Sequence, residues 1–213
     1  MSIPKVIWQT HEWEYSDLPE IYLENSKKWQ QENLDWVYRY HSSKDRRNFL
    51  LNNNFLQSKT AITRYDNMFK QQQADFWRVA VVYLNGGAYI DMDSIPKGQN
   101  MLDKAVVDAD SLGTPYSIIC TYDPNHLGVG CNNSHFIGKT KSEFLKNLLD
   151  KYYIGFHKEW DYDLDIQIKR LEFIVNSINF GRTALYRDDV AFTFGELYHG
   201  DEYKPENWES LTI

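Results

Sequence analysis

The sequence predicts an α/β fold, a mixed sheet flanked by helices, and three observations point there. Short apolar runs such as Val6-Ile7-Trp8 and Ala88-Tyr89-Ile90 have the length of buried strands. Between them lie segments of helical spacing, clearest in Trp77, Ala80, Val81 and Leu84, which follow i, i+3, i+4, i+7. No repeat, low-complexity tract or Gly/Ser linker interrupts the 213 residues, so strands and helices alternate within one expected domain, 1–213.

Taken in order, Val6-Ile7-Trp8 opens the sheet after Pro4. Ser16 or Asp17 is placed to cap a helix that has Pro19 in its first turn and runs to about Gln31. Trp36 to Tyr40 reads as a second strand, and Ser42 or Ser43 as the cap of a short helix ending near Asn52. The strongest helix spans about Phe69 to Leu84. Asn85-Gly86-Gly87 stops it, because glycine enters the left-handed cap conformation without a Cβ clash. Ala88-Tyr89-Ile90 then forms a strand that runs into Asp91-Met92-Asp93. Past Pro96 the pattern is weaker. Strands are expected at Tyr116 to Thr121 and His135 to Ile137, and helices at Ser142 to Tyr153 and Asp163 to Ile178. A strand and loop are expected at Tyr186 to Phe194, and the tail from Gly195 reads as a lid or irregular closure.

Composition excludes several classes. Thirty acidic residues against 23 basic ones give a net charge of −7, the wrong sign for tracking a nucleic-acid backbone. No apolar run approaches the ~18 residues of a membrane span, and the start lacks a signal-peptide pattern. Two cysteines, Cys120 and Cys131, make no disulfide framework and are expected as buried thiols. A cytoplasmic setting is the resulting expectation.

Asp91 and Asp93 carry the most chemistry. In extended chain, residues i and i+2 share one face of a strand, so the two carboxylates would repel unless a cation lies beside them. A hard divalent ion, Mn²⁺ or Mg²⁺, takes oxygen ligands and keeps positions open for phosphate oxygens. Open α/β sheets also bind ligands beyond the carboxyl ends of their strands. An isolated Asp-x-Asp is otherwise a solvated turn. Upstream, Asp75 and Arg78 are neighbours on one helix face, either as an ion pair or as a pair of groups facing ligand hydroxyls and phosphate.

The stretch from Gln73 through Asp75, Arg78, Gly86-Gly87 and Tyr89 to Asp91-Met92-Asp93 resembles the DXD sugar-binding region of glycosyltransferase family 32. Ile3-Pro4-Lys5-Val6-Ile7-Trp8-Gln9-Thr10 resembles that family's opening strand. Trp29 with Asn33-Leu34-Asp35-Trp36 resembles its W…N-P-D-W segment, with Leu34 in place of proline. The resemblance implies a GT-A-like fold, a nucleotide-sugar donor (UDP favoured), a glycan or other hydroxyl acceptor, Mn²⁺ or Mg²⁺, and transfer with retention. It implies a nucleotide-sugar-binding half over about 1–95, and an acceptor-side half with the lid over about 96–213. By analogy Asp91 and Asp93 are catalytic, Asp93 binds the metal directly, and Asp91 serves its water shell and the donor hydroxyls. Asp75 and Arg78 hold the donor sugar, and Trp8, Gln9 and Thr10 line the nucleotide pocket. His199 is a metal-ligand candidate by the same analogy, and Trp208 a lid candidate. Where the family has Gly-Pro after the last helix, this chain has Gly181-Arg182.

Asn132 and Asn133, in the polar glycine-rich segment 128–134, are candidates for acceptor contacts, as are Asp188, Asp189 and Glu196 for the reacting face. Two rival readings follow from the same residues. One is a phosphatase of the haloacid-dehalogenase type with Asp91 as nucleophile. The other is a non-catalytic module that binds carbohydrate or nucleotide sugar through its aromatic residues.

Overall fold

A computed structural model describes residues 2–96, 98–111, 116, 118–122, 131–146, 148–149 and 183–186 of the chain. Its strands are β1 (Val6–Thr10), β2 (Val37–His41), β3 (Gly87–Ile90), β4 (Ile118–Tyr122), β5 (Cys131–Gly138) and β6 (Thr183–Tyr186). The helices are α1 (Glu20–Glu32), α2 (Ser43–Asn52), α3 (Lys59–Asp66), α4 (Lys70–Asn85) and α5 (Met101–Ser111). The strands form one mixed sheet in the order β2-β1-β3-β5-β4-β6. β1 pairs parallel with both β2 and β3, β5 runs antiparallel to β3 and β4, and β6 is parallel to β4. This is the α/β class expected from the sequence.

The period of two along each strand divides the interior into two layers. Trp8, Tyr89, Ile118 and Phe136 pack on one face against Leu50 of α2, Ala61 and Tyr65 of α3, and Phe76 and Trp77 of α4. Their strand neighbours Ile7, Ala88, Ile90, Ile119 and Ile137 pack on the other against Trp29 of α1 and Met101, Leu102, Ala105 and Ala109 of α5. Asp91 follows Ile90, and its carboxylate meets Arg78 of α4 and the Tyr89 hydroxyl on the first of these faces.

Several boundaries differ from expectation for identifiable reasons. Ser16 and Asp17 do not cap α1; they lie in a 3-10 turn over Tyr15–Asp17. Leu18 is extended (φ −63°, ψ 142°), as a residue before proline prefers, and α1 starts only after Pro19. Ser42 caps α2 in a reciprocal box, its hydroxyl accepting from the Asp45 amide while the Asp45 carboxylate accepts from the Ser42 amide. α3 was not expected; its first turn is capped by Ser58 Oγ, which accepts from Ala61 N at 3.0 Å. α5 was not expected either. Cys131 to Ser134, in the polar glycine-rich segment, belong to β5: Cys131 pairs with Tyr122 of β4, and the Ser134 carbonyl accepts from Asp91 N at 2.8 Å. The helix expected from Ser142 begins at residue 143, with Ser142 Oγ accepting from Leu145 N at 3.3 Å. The helix expected over Asp163 to Ile178, the segment 187–194 and the tail from Gly195 lie outside the described residues. So do the side chains of Cys120 and Cys131. No helix among the described residues is long and apolar enough to cross a membrane.

The α4–β3 junction sets where the carboxylates stand. Gly86 and Gly87 have φ of 68° and 98°, and a Cβ on Gly87 would lie 2.5 Å from the Val6 carbonyl oxygen. Both the backbone conformation and the contact with β1 require glycine here. Gly87→Ala is therefore expected to cost roughly 2 kcal/mol of stability in urea denaturation.

Candidate active site

At the carboxyl end of β3 a buried arginine joins two carboxylates. Arg78 of α4 lies with its Nη2 2.9 Å from Asp75 Oδ1 and 3.5 Å from Asp91 Oδ1. Its side chain is 6% exposed, against 22% for Asp75 and 28% for Asp91. The guanidinium carbon sits 4.6 Å from the centre of the Tyr89 ring. Tyr89 also donates its hydroxyl to Asp91 Oδ1. Tyr89 and Asp91 are two residues apart at the end of a strand and so share its face; that spacing was the sequence signal for Tyr89, which no site assignment included.

Asp91 carries a pKa pushed up to about 6. Burial is the main cause, with Asp93 and Asp75 adding negative potential, while Arg78 and the Tyr89 hydrogen bond oppose the rise. Burial also holds the Tyr89 hydroxyl well above its ordinary range, so it stays a donor.

Asp93 does not continue the strand. β3 ends at Ile90, and Asp91 to Ser94 form a turn closed by Ser94 N donating to Asp91 O at 3.2 Å. The two carboxylates are thus brought together by a turn and not by strand alternation. Asp93 stands close enough to raise the pKa of both Asp91 and Tyr22. Met92, between them, packs with Leu18 and Tyr22.

The three residues expected at a nucleotide pocket are all buried. Trp8 is 8% exposed, lies in the α4-side core and donates its indole N–H to Gly86 O at 2.8 Å. Gln9 is fully buried; it accepts from the Tyr38 hydroxyl at 2.9 Å and donates to Asp91 O at 3.2 Å. Thr10 Oγ1 donates to His41 O at 2.6 Å and accepts from Arg46 Nη1 at 2.7 Å. Only Gln9 of the three reaches the carboxylate turn. The exposed aromatic past β1 is Trp13, 38% exposed and packed on His11. Asn132 and Asn133 fall in β5, whose Ser134 carbonyl accepts from Asp91 N at 2.8 Å. His199, Trp208, Asp188, Asp189 and Glu196 lie outside the described residues.

Among the described residues, no three His, Cys, Asp or Glu side chains gather as a metal cluster. Two carboxylates with the remaining positions taken by phosphate oxygens and water are nevertheless a donor set that Mg²⁺ or Mn²⁺ accepts. Asp91 and Asp93 fit that set.

Residues 19–113 match the family described as "Glycosyltransferase sugar-binding region containing DXD motif". Among solved structures, the chain is similar to one titled "PaToxG Glycosyltransferase", with a TM-score of 0.58 and 15% identity over 84% of this chain and 70% of that one. It is also similar to mouse xyloside xylosyltransferase 1 in its apo form, with a TM-score of 0.49 and 9% identity over 86% of this chain and 84% of that one. No curated protein matches the sequence. Residues 19–113 are thus similar to a glycosyltransferase sugar-binding region with a DXD motif, and the mixed sheet that holds them has the GT-A fold.

Proposed function

We propose that this chain is a divalent-metal-dependent glycosyltransferase. It moves a hexosyl or deoxyhexosyl unit from a nucleotide sugar, UDP-linked by preference, to a hydroxyl on a glycan or other acceptor, with retention of configuration. The observation that carries this reading is the buried Arg78 holding Asp75 and Asp91 at the mouth of β3, one turn from Asp93.

Each residue has a distinct task in this reading. Arg78 contacts Oδ1 of both Asp75 and Asp91, so it sets their orientation from inside the protein. The second oxygens, Oδ2 of Asp75 and Asp91, are assigned to the donor-sugar hydroxyls and the metal's water shell. Tyr89 supports Asp91 from beneath and keeps its Oδ1 engaged. Asp93, with Asp91, holds the metal ion, Mn²⁺ or Mg²⁺, which when bound offsets the charge growing on the diphosphate leaving group. Fixing donor and acceptor in one orientation lowers the barrier by removing their translational and rotational freedom beforehand.

Asp91 must be ionised to hold the cation and its water shell, so it makes ion binding depend on pH. Below a pKa of about 6 the proton competes with the cation. Mn²⁺ affinity in the presence of UDP is expected to be flat above that pH. Below it, affinity should fall by up to ~10-fold per unit, as calorimetric titration across pH 5–8 would record. The assignment itself is tested by incubating the protein with nucleotide sugars and Mn²⁺ and following donor hydrolysis. Release of UDP or another nucleoside diphosphate that stops on chelation is expected; no release from any donor counts against the reading.

A further inference from the structure

The turn that carries the two carboxylates is gripped through its backbone. Three of its carbonyls accept hydrogen bonds from side chains remote in sequence. Asp91 O accepts from Gln9 Nε2 at 3.2 Å, Met92 O from Asn25 Nδ2 at 3.1 Å, and Ser94 O from Trp29 Nε1 at 2.8 Å. Asn25 and Trp29 are four residues apart on α1, hence on one helix face. Both are buried, at 2% and 0% exposure, as is Gln9.

The donors themselves are oriented. The Tyr38 hydroxyl donates to Gln9 Oε1 at 2.9 Å, which turns the amide nitrogen toward Asp91. Asn25 Oδ1 is buried without a hydrogen-bond partner, so what this position uses is the donor. A core that needed only packing would not put an amide there, because its unpaired oxygen is a cost. Met92 adds an apolar anchor against Leu18 and Tyr22 on the same side. The turn is therefore held from the α1 side by its carbonyls, while the Asp91 carboxylate is held from the α4 side by Arg78 and Tyr89.

We propose that Asn25, Trp29 and Gln9 are positioning residues that fix the Asp91–Ser94 turn so that its two carboxylates keep one geometry for the metal and donor. The proposal rests on the reading of Asp91 and Asp93 as the metal site. Its physical basis is that two like charges within one short turn push apart until a cation arrives. Hydrogen bonds to the backbone carbonyls hold the turn without using the carboxylate oxygens the cation needs. Partners of this indirect kind commonly govern metal affinity by 10–100-fold.

Trp29→Phe removes the indole N–H and keeps an aromatic ring; Asn25→Ala removes the amide. Leu50→Val, in the opposite core layer, serves as a packing control. Two measurements on the full chain separate positioning from stability. In ligand-free protein, hydrogen exchange at residues 92–94 should quicken in Trp29→Phe and Asn25→Ala and stay at the wild-type rate in Leu50→Val. In a Mn²⁺ titration with UDP present, Trp29→Phe should bind the ion at least ~10-fold more weakly, and Leu50→Val as wild type. Wild-type exchange in the turn and wild-type Mn²⁺ affinity in both α1 variants, with only a lower melting temperature, would overturn the proposal. If wild-type protein binds no Mn²⁺ with UDP, the nucleotide-sugar reading fails instead, and the exchange rates alone decide whether α1 braces the turn.

Discussion

Asp93→Ala is expected to lose about 10²–10³-fold in kcat/KM for metal-dependent donor hydrolysis or transfer, while its melting temperature stays within a few degrees of wild type. The size follows from what the carboxylate is assigned: a charge placed in advance for the cation that meets the leaving diphosphate. Stability is spared because Asp93 is partly exposed in a turn whose grip comes from backbone carbonyls and Met92. Wild-type-like turnover at matched metal concentration would remove Asp93 from the mechanism. Steady-state kinetics at saturating Mn²⁺, with circular dichroism as the check on folding, separates the two outcomes.

Arg78→Leu should have the largest effect on the folded state. It removes the guanidinium that contacts both Asp75 and Asp91 among the described residues, and leaves two carboxylates near each other in a largely buried site. Breaking a buried pair from one side costs 3–5 kcal/mol in general. Asp75 and Asp91 keep 22% and 28% exposure, so water recovers part of that and ~3 kcal/mol is expected here. For a domain of this size the loss corresponds to a fall of roughly 6–12 °C in melting temperature. Arg78 also pulls the Asp91 pKa down, against the larger effect of burial. Without it that pKa rises further above its present value of about 6, and the acid limb of Mn²⁺ binding moves to higher pH. Arg78→Lys should recover part of the stability but not the geometry, since one ammonium cannot match a planar guanidinium between two carboxylates. An unchanged melting temperature and pH profile in Arg78→Leu would show that the cluster is an ordinary surface ion pair.

Much of this site is legible in the chain. The apolar helix, the glycine pair, the short strand and the two acids stand in an order that places Asp75, Arg78 and Asp91 together, and they do meet. What the pattern misstated was the local geometry. Strand alternation is a rule for extended backbone, and β3 stops at Ile90, one residue before the first carboxylate. Trp8 illustrates a second limit. An aromatic residue at a strand end has the same sequence signature whether it meets a ligand or the core, and the Gly86 carbonyl takes its indole N–H inside the protein. Hydrogen bonds across 65 to 82 residues, such as those of Gln9, Asn25 and Trp29 to the turn, leave no periodic trace. The missed helices have local causes. α5 buries Met101, Leu102, Ala105 and Ala109, a stripe made half of alanine between charged residues, and α3 buries only Ala61 and Tyr65. Small side chains give a weak hydrophobic period even where they pack fully. The polar start of β5 carries no apolar alternation, because its place is set by backbone bonds, Cys131 pairing with Tyr122 of β4 and Ser134 O accepting from Asp91 N.

The central claim, that this fold binds a nucleotide sugar through a cation at Asp91 and Asp93, is tested most directly by thermal shift. The protein is melted with a panel of nucleotide sugars, each with Mn²⁺, Mg²⁺ or chelator, beside Asp93→Ala. A ligand at about 100 times its dissociation constant stabilises the folded state by ~2.7 kcal/mol. At least one donor should therefore raise the wild-type melting temperature by roughly 5–10 °C with metal, and by far less with chelator or in Asp93→Ala. No shift with any donor, or an equal shift in Asp93→Ala and in chelator, would contradict it.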